Sequence, residues 1–549
     1  MLRSRGLAAA AALLAAALLL PMTLQGVGIF DEGFIASGAM MILRGDLPLR
    51  DFYVVYGPGQ YYLSASLMAV FGESLLVTRV AHVLLLAGLA ATVAAASYQF
   101  AHGRIRLALL PVSAFVLMTV NFLPNPGYPA VPAVLLLMLA TWPLARWAET
   151  GSTPSLLGAS LLIGLAGLLR WDFAVLGFGA QVVAVSLIER ARRTSLKDFW
   201  RTLARLVLPG ALLVIAGFAP FLLAAGPERW FREVPLFMLM EFKQWRNLDM
   251  LAPTLTNLST AWTQHDRWTV LDALLRLVYA ATPFIFASGA LLLAGTRVWR
   301  QRGLVGFQDA LALGLSLLSL AMLNQVRVRT AVPQAYPAFV AALPLIVYLL
   351  AALMANRRAR FAAWAVTGSV LIVWLALPAY FAQSKLRTLP TQSVQVFALP
   401  RAGLVFSGPH GSALKRASDY ADLIRYLQTT TAPSDYIFSG VTDTSRLFIN
   451  DSLLYFLVNR RPATRWVEME PGLSNTVAGQ NELIQALQTK QVKTVVLLQL
   501  QSEEPNATAR SNGLHLLDDF IRSNFQPQRQ FGKYTVLERS QAVATLSGR

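Results

Sequence analysis

Apolar runs long enough to cross a bilayer alternate with short polar connections through the first two-thirds of the chain; the last third breaks this pattern. A helix needs about 20 residues to cross a hydrocarbon core of roughly 30 Å. On that measure spans are predicted near 7–27, 74–100, 107–123, 129–146, 155–170, 173–190, 204–225, 271–296, 308–324, 335–354 and 361–382. From Gln383 polar residues return. Tyr420–Thr429 and Asn481–Thr489 carry apolar positions three and four apart, a helical spacing. Tyr436-Ile437-Phe438 and Thr494–Leu498 read as buried strands, and Tyr534–Leu537 as a last, edge-like one. The pattern predicts a polytopic α-helical membrane domain of about 11 spans over residues 1–382, then a C-terminal extracytoplasmic α/β domain over 383–549.

Composition narrows the class. Of 549 residues, 55% are hydrophobic and only 14% charged, and mean hydropathy is +0.50. A soluble chain carries about 25% charged residues to cover its surface, so soluble, disordered and nucleic-acid-binding classes are excluded. The formal net charge of +18 is largely a topology signal. Arg3 and Arg5, Arg104 and Arg106, Arg190 through Arg205, Arg297 through Arg302, and Arg357 through Arg360 all fall on one side if the N-terminus is cytoplasmic. An odd number of spans then puts the C-terminal domain outside, and the Ala/Leu/Arg-rich make-up suggests a bacterial inner membrane. Met1–Gln25 also has the basic start and apolar core of a signal peptide, but without a convincing small-x-small cleavage site, so a retained span is expected. Cysteine is absent and the five histidines are scattered, which leaves no thiol chemistry and no His pair with metal-ligand spacing. The tail has no phosphate-binding glycine loop and no nucleophile elbow, and the sequon Asn506-Ala507-Thr508 is assigned no meaning.

The informative stretch begins where the first span ends, at Gly28-Ile29-Phe30-Asp31-Glu32-Gly33-Phe34. Two adjacent carboxylates at a membrane boundary are costly to bury and are normally solvated or paired. One reading makes Asp31 the cap of a surface helix from Gly33 to Leu43, with Glu32 favoured by the helix dipole. Residues 34–44 and 60–71 look like amphipathic helices lying along the outer membrane surface. Between them run Gly45-Asp46-Leu47-Pro48-Leu49-Arg50-Asp51 and the aromatic stretch Tyr53 to Tyr62 around Pro58.

This ordered set is similar to the first outer loop of polyprenyl-phosphate-sugar-dependent membrane glycosyltransferases of the C-type fold. It resembles above all glycosyltransferase family 39, the protein O-mannosyltransferase and lipid A aminoarabinose transferase group. The features that carry the resemblance are the Asp31-Glu32 pair after the first span, the Gly45-x-x-Pro48-x-x-Asp51 turn, the aromatic Pro motif, the helix ending Phe71-Gly72, and Arg79 in the next span. It covers residues 28–82, which take in a first outer loop of 28–73 and the start of the next span. It implies inverting transfer of a hexose or pentose from a polyprenyl-phosphate carrier to an acceptor hydroxyl at the outer face of the membrane. The acceptor would be a lipid, a glycan or a protein. Asp31 would be the base, and Glu32 would support it or orient the acceptor.

An ionised lipid phosphate calls for cations, preferably arginines with their bidentate fork. Three arginine groups lie on the outer side: Arg79; Arg170, with Asp172 two residues on; and Arg327 with Arg329. Arg170 and Asp172 equally read as an ion pair closing a tight turn. Arg327 and Arg329 run against the positive-inside bias and read as lipid-phosphate or headgroup contacts, and Arg79 reads also as a structural partner of the first-loop acids. Asp51 and Tyr56 join the substrate-binding group, with turn and interfacial-belt roles as their alternatives. Several family members carry a charged residue or histidine before the loop proline, where this chain has Tyr56-Gly57-Pro58. No metal ligands are therefore assigned, and a divalent cation is in doubt. The charge-dense 226–270 loop reads as a solvated lid or surface helix. The competing class is a transporter or flippase of a lipid-linked saccharide, which should show paired half-repeats with mid-membrane ionisable positions. No clear internal repeat is seen, and a non-catalytic scaffold would leave the acids and outer arginines without a shared purpose.

Overall fold

A computed structural model describes residues 2–24, 26–121, 128–248, 259–260, 262–263, 267–301, 304–329, 332–355, 395–407 and 417–540. Among them, eight helices are long and apolar enough to cross a membrane, and two more, Ile105–Thr119 and Thr153–Leu169, are shorter and apolar. The chain is a polytopic helical membrane protein with a C-terminal sheet domain. The span expected at 361–382 and the start of the tail at 383 lie outside the described residues.

The bundle opens with α1 (Leu2–Leu19), which packs against α4 (Leu75–Phe100). Between them lie α2 (Asp31–Leu43) and α3 (Gly59–Phe71). Then come α5 (Ile105–Asn121), α6 (Ala130–Thr150), α7 (Thr153–Leu169), α8 (Trp171–Arg192) and α9 (Leu196–Ala225). Helices at Arg267–Arg300, Phe307–Met322 and Val332–Ala355 complete it. Close backbone approach is built from small residues. Gly164 of α7 and Gly210 of α9 face each other so tightly that a Cβ on Gly164 would sit 2.7 Å from the Gly210 carbonyl oxygen. Lipid supplies no hydrophobic force between helices, so such contacts rest on van der Waals packing.

The first outer loop departs from expectation. α2 is covered on all sides rather than amphipathic: Phe34, Ile35, Ala36, Ala39, Met40 and Met41 are all buried. A helix apolar all round needs cover on every side, and α2 obtains it from α3 and from the helix Leu453–Val458 of the C-terminal domain. Of the pair, only α3 keeps an exposed apolar face, with Leu63, Val70 and Phe71 uncovered.

The C-terminal domain carries a two-stranded antiparallel ribbon, β1 (Gln395–Leu399) with β2 (Gly403–Ser407), and a five-stranded mixed sheet ordered β4-β3-β5-β7-β6. β3 (Tyr436–Val441) is parallel to β4 (Arg461–Pro462) and to β5 (Thr494–Leu498), with Ile437 opposite Thr494. β7 (Tyr534–Arg539) is antiparallel to both β5 and β6 (Phe525–Phe531). β7 is therefore an interior strand, and the edge on that side is β6. Its sequence Phe-Gln-Pro-Gln-Arg-Gln-Phe, exposed between its end residues, reads as polar linker. Proline and charge are what an edge strand tolerates, since they discourage pairing with another chain.

Candidate active site

The loop entering α2 is clamped by the C-terminal domain. Ser452 and Leu453 donate their backbone N–H groups to the Ile29 carbonyl at 3.0 and 3.2 Å, and Ser452 Oγ donates to Ile29 and Phe30. Ser37 Oγ returns a bond to the Ser452 carbonyl at 2.6 Å. The helix starts at Asp31 itself, with Phe30 in the cap position and no side-chain cap. Asp31 is thus a first-turn residue rather than the cap, and the dipole favours both acids there.

The two neighbours then part company. Glu32 turns inward and accepts from Arg79 Nε at 2.5 Å and Nη2 at 2.7 Å, and from the Gly28 N–H at 2.9 Å. Arg79 also donates to the carbonyls of Thr23 and Gly26. Asp31 lines a cavity of about 390 Å³.

That cavity lies where the bundle meets the C-terminal domain. One wall is largely apolar, with Val55, Ala130, Val131 and Pro337; Tyr56, Tyr128 and Tyr336 add aromatic faces. The other wall is charged, with Arg246, Arg329, Glu468, Glu470 and Glu504. Beneath the aromatic faces lies Arg170, 2% exposed. Its guanidinium stacks 4.2 Å from the Tyr56 ring centroid and donates to Tyr128 Oη at 3.1 Å. It also forks onto Asp172 at 3.1 and 2.6 Å, while Gln325 bridges the two side chains. Gly57 permits this packing, because a Cβ there would sit 2.3 Å from the Leu168 carbonyl oxygen.

On the charged wall, Arg246 ends the helix Phe242–Arg246, pairs with Glu470 at 3.2 Å, and lies between the rings of Phe30 and Phe448. Arg329 forks onto Glu504 at 2.5 and 3.0 Å. Burial raises the Glu468 carboxyl well above the usual range; neighbouring Glu470 and the charge of Asp31 add to the rise, and Arg246 opposes it. Glu470 is raised by burial too, against the pull of Arg246.

No family model matches the chain, and no curated protein does. Solved structures are similar to it. ArnT from Cupriavidus metallidurans in the apo state is 14% identical, with a TM-score of 0.49 over 97% of this chain and 98% of that one. The apo oligosaccharyltransferase of Archaeoglobus fulgidus is 12% identical, with a TM-score of 0.49 over 89% of this chain and 69% of that one. The arabinofuranosyltransferase AftD from Mycobacteria is 14% identical, with a TM-score of 0.42 over 98% of this chain and 40% of that one.

The structure sorts the residues singled out from sequence. Asp31, Tyr56 and Arg329 line the cavity. Arg170 and Asp172 support its aromatic wall from behind, and the Glu32–Arg79 pair fixes the helix that presents Asp31. None of those four lines the cavity itself, and two further residues neither line nor support it. Asp51 closes its own turn, accepting from the Leu47 N–H at 2.7 Å and pairing with Arg50. Arg327 is exposed and is not among the lining residues, because the short 3-10 turn Leu323–Arg327 sets it on a different side from Arg329.

Where it is described, the 226–270 loop is a surface segment with Glu228, Arg229, Arg232, Glu241 and Lys243 exposed, but two of its charges turn inward: Glu233 and Arg246 are buried, and Glu233 accepts from Arg465 at 2.7 and 2.8 Å. The cavity residues missed from sequence include Tyr128, Arg246, Gln334, Tyr336, Glu468, Glu470 and Glu504. For Glu468 and Glu470 a signal existed. In Trp466-Val467-Glu468-Met469-Glu470 the acids alternate with apolar residues, which puts both acids on one side of an extended segment. Among the described residues one further acid–histidine cluster, Asp443, His515 and Asp518, has atoms close enough to hold an ion. It is not part of this cavity.

Proposed function

We propose that this chain is a glycosyltransferase that moves a sugar from a polyprenyl-phosphate carrier to an acceptor hydroxyl, with inversion, at the outer face of a bacterial inner membrane. The observation that carries the reading is the placement of Asp31. It stands at the first turn of a clamped helix and lines a cavity with one apolar wall and one charged wall.

The chemistry follows from those walls. An isoprenoid carrier suits the apolar side, continuous with the bundle. Asp31 takes the proton from the acceptor hydroxyl as its oxygen attacks the anomeric carbon. The bond from that carbon to the carrier phosphate breaks on the opposite face, and the phosphate leaves with the electron pair. Arg329 and Arg246 are the cations lining the cavity for that phosphate. The resemblance of residues 28–82 supports the same assignment for Asp31. Glu32 acts through position alone, because its carboxylate is occupied by Arg79 and Gly28.

The test is Asp31→Asn in membranes, assayed for sugar transfer from a polyprenyl-phosphate-sugar. Loss of a general base lowers the rate by about 10²–10⁴-fold. Near-normal turnover in a correctly inserted variant would remove Asp31 from the reaction.

A further inference from the structure

The charged wall of the cavity is not fully paired. Glu470 is held by Arg246 and Glu504 by Arg329. Glu468 differs: it is 4% exposed, it lines the cavity, and among the described residues its Oε2 atom has no hydrogen-bond partner. Gln334, at the start of the helix Val332–Ala355, also lines the cavity, and its Oε1 likewise lacks a partner among the described residues. Polar oxygens withdrawn from water are almost always satisfied in a folded protein, so two unfilled ones lining one cavity point to a bound molecule.

Resting on the glycosyltransferase reading, we infer that the acceptor is a saccharide. The Glu468 carboxyl donates from Oε2 to one of its hydroxyls, Gln334 Oε1 accepts from another, and the reacting hydroxyl is left toward Asp31. A lone alcohol, such as a serine side chain or a simple lipid hydroxyl, would leave one of the two oxygens unfilled. The carrier phosphate is a poor occupant of this corner, since Asp31, the proposed base, brings negative charge beside it.

Burial, with Glu470 and the charge of Asp31 beside it, raises the Glu468 carboxyl well above the usual range, and a carboxyl that holds its proton is a donor as well as an acceptor. The charged groups facing it are Glu470 on its own segment, Arg246 from the helix Phe242–Arg246 and Asp31 from α2. Glu468 is thus a specificity-determining residue contributed by the C-terminal domain to a reaction centred on the bundle.

The experiment uses the full-length protein in nanodiscs with labelled undecaprenyl-phosphate-linked hexose and pentose donors. Octyl glycosides serve as polyol acceptors and octanol as the single-hydroxyl control. Glu468→Gln keeps a donor of the same shape. It is expected to transfer to the glycoside within about threefold of the unmodified protein, and to hold its rate at alkaline pH where the unmodified protein slows. Glu468→Leu is expected to raise the apparent KM for the glycoside about tenfold or more, with kcat nearly unchanged and no effect on octanol. An unchanged glycoside KM in Glu468→Leu overturns the inference. So does a Gln variant as impaired as the Leu variant, because that outcome requires an ionised carboxylate. Asp31→Asn run in parallel separates the two claims. If it is inactive while Glu468→Leu is normal, only the saccharide inference falls. If it is fully active, or if the unmodified protein transfers from none of the donors, the glycosyltransferase reading falls as well.

Discussion

Arg79 holds both carboxylate oxygens of Glu32 in a pocket that leaves 5% of one side chain and 3% of the other exposed. The pair ties the start of α4 to the start of α2, and Arg79 also satisfies two carbonyls of the connecting segment. Breaking a buried pair by removing one partner costs roughly 3–5 kcal/mol, because the other charge stays buried. Arg79→Ala and Glu32→Ala are therefore expected to lower the thermal midpoint in detergent markedly. The double change to leucines should recover part of the loss, since no lone charge remains. If the single variants keep the original midpoint and lose only donor affinity, Arg79 belongs to the substrate rather than to the scaffold.

A second relationship sets where Asp31 points. A Cβ on Gly33 would lie 2.5 Å from the Leu453 backbone nitrogen and 2.7 Å from Ser452 Oγ. The nitrogen is backbone and cannot swing aside, so Gly33→Ala wedges α2 away from the C-terminal domain. Overpacking of this kind costs about 1–3 kcal/mol. The expected result is faster proteolysis of the C-terminal domain together with reduced transfer. A variant with unaltered protease resistance and full activity would show that the clamp is not needed to aim Asp31.

Much of the bundle was legible in the sequence because its signal is local. An apolar run such as 75–100 reports a span wherever it packs, and basic clusters mark the ends of such runs. The order Asp31-Glu32, Pro48, Pro58, Arg79 was legible for the same reason. What escaped is long-range. Residues 31–43 carry the same apolar pattern whether the cover comes from lipid or from the helix Leu453–Val458, so burial of α2 under the tail could not be read. Arg246 sits in a run of charges and looks solvated until Glu470, 224 residues away, takes it. β6 escaped because an exposed edge strand needs no apolar alternation.

The two outer arginines near the end of the bundle should behave differently. Arg329 lines the cavity and is held by Glu504, whereas Arg327 is exposed and off the lining. Hydrogen bonds to charged groups contribute about 1.5–3 kcal/mol, so Arg329→Ala should raise the apparent donor KM about tenfold or more. Arg327→Ala should leave it within about twofold, as surface charges contribute little. Measured donor titrations at constant acceptor decide the matter. A larger effect at Arg327 than at Arg329 would place the carrier phosphate elsewhere.

Asp451 makes the stability of the C-terminal domain depend on pH in an unusual direction. Burial pushes its carboxyl up to about 6, although Tyr534 Oη donates to it at 2.9 Å and the Leu454 N–H at 3.0 Å. An unfolded aspartate titrates near 3.8, so the folded domain binds this proton more tightly. The contribution to stability is fully present below about pH 4 and is lost as pH rises through about 6. At neutral pH the ionised, buried group costs on the order of 3 kcal/mol relative to its neutral form. Asp451→Asn removes the titration while keeping a polar group of similar shape. Other acids contribute their own pH dependence, so the quantity to follow is the difference in thermal midpoint between Asp451→Asn and the unmodified protein across pH 4 to 8. That difference should move in favour of the variant as pH rises from about 4 to 7 and then level off. A difference that stays flat across the window would mean that Asp451 is ionised in the folded domain throughout, held by its tyrosine and backbone donors.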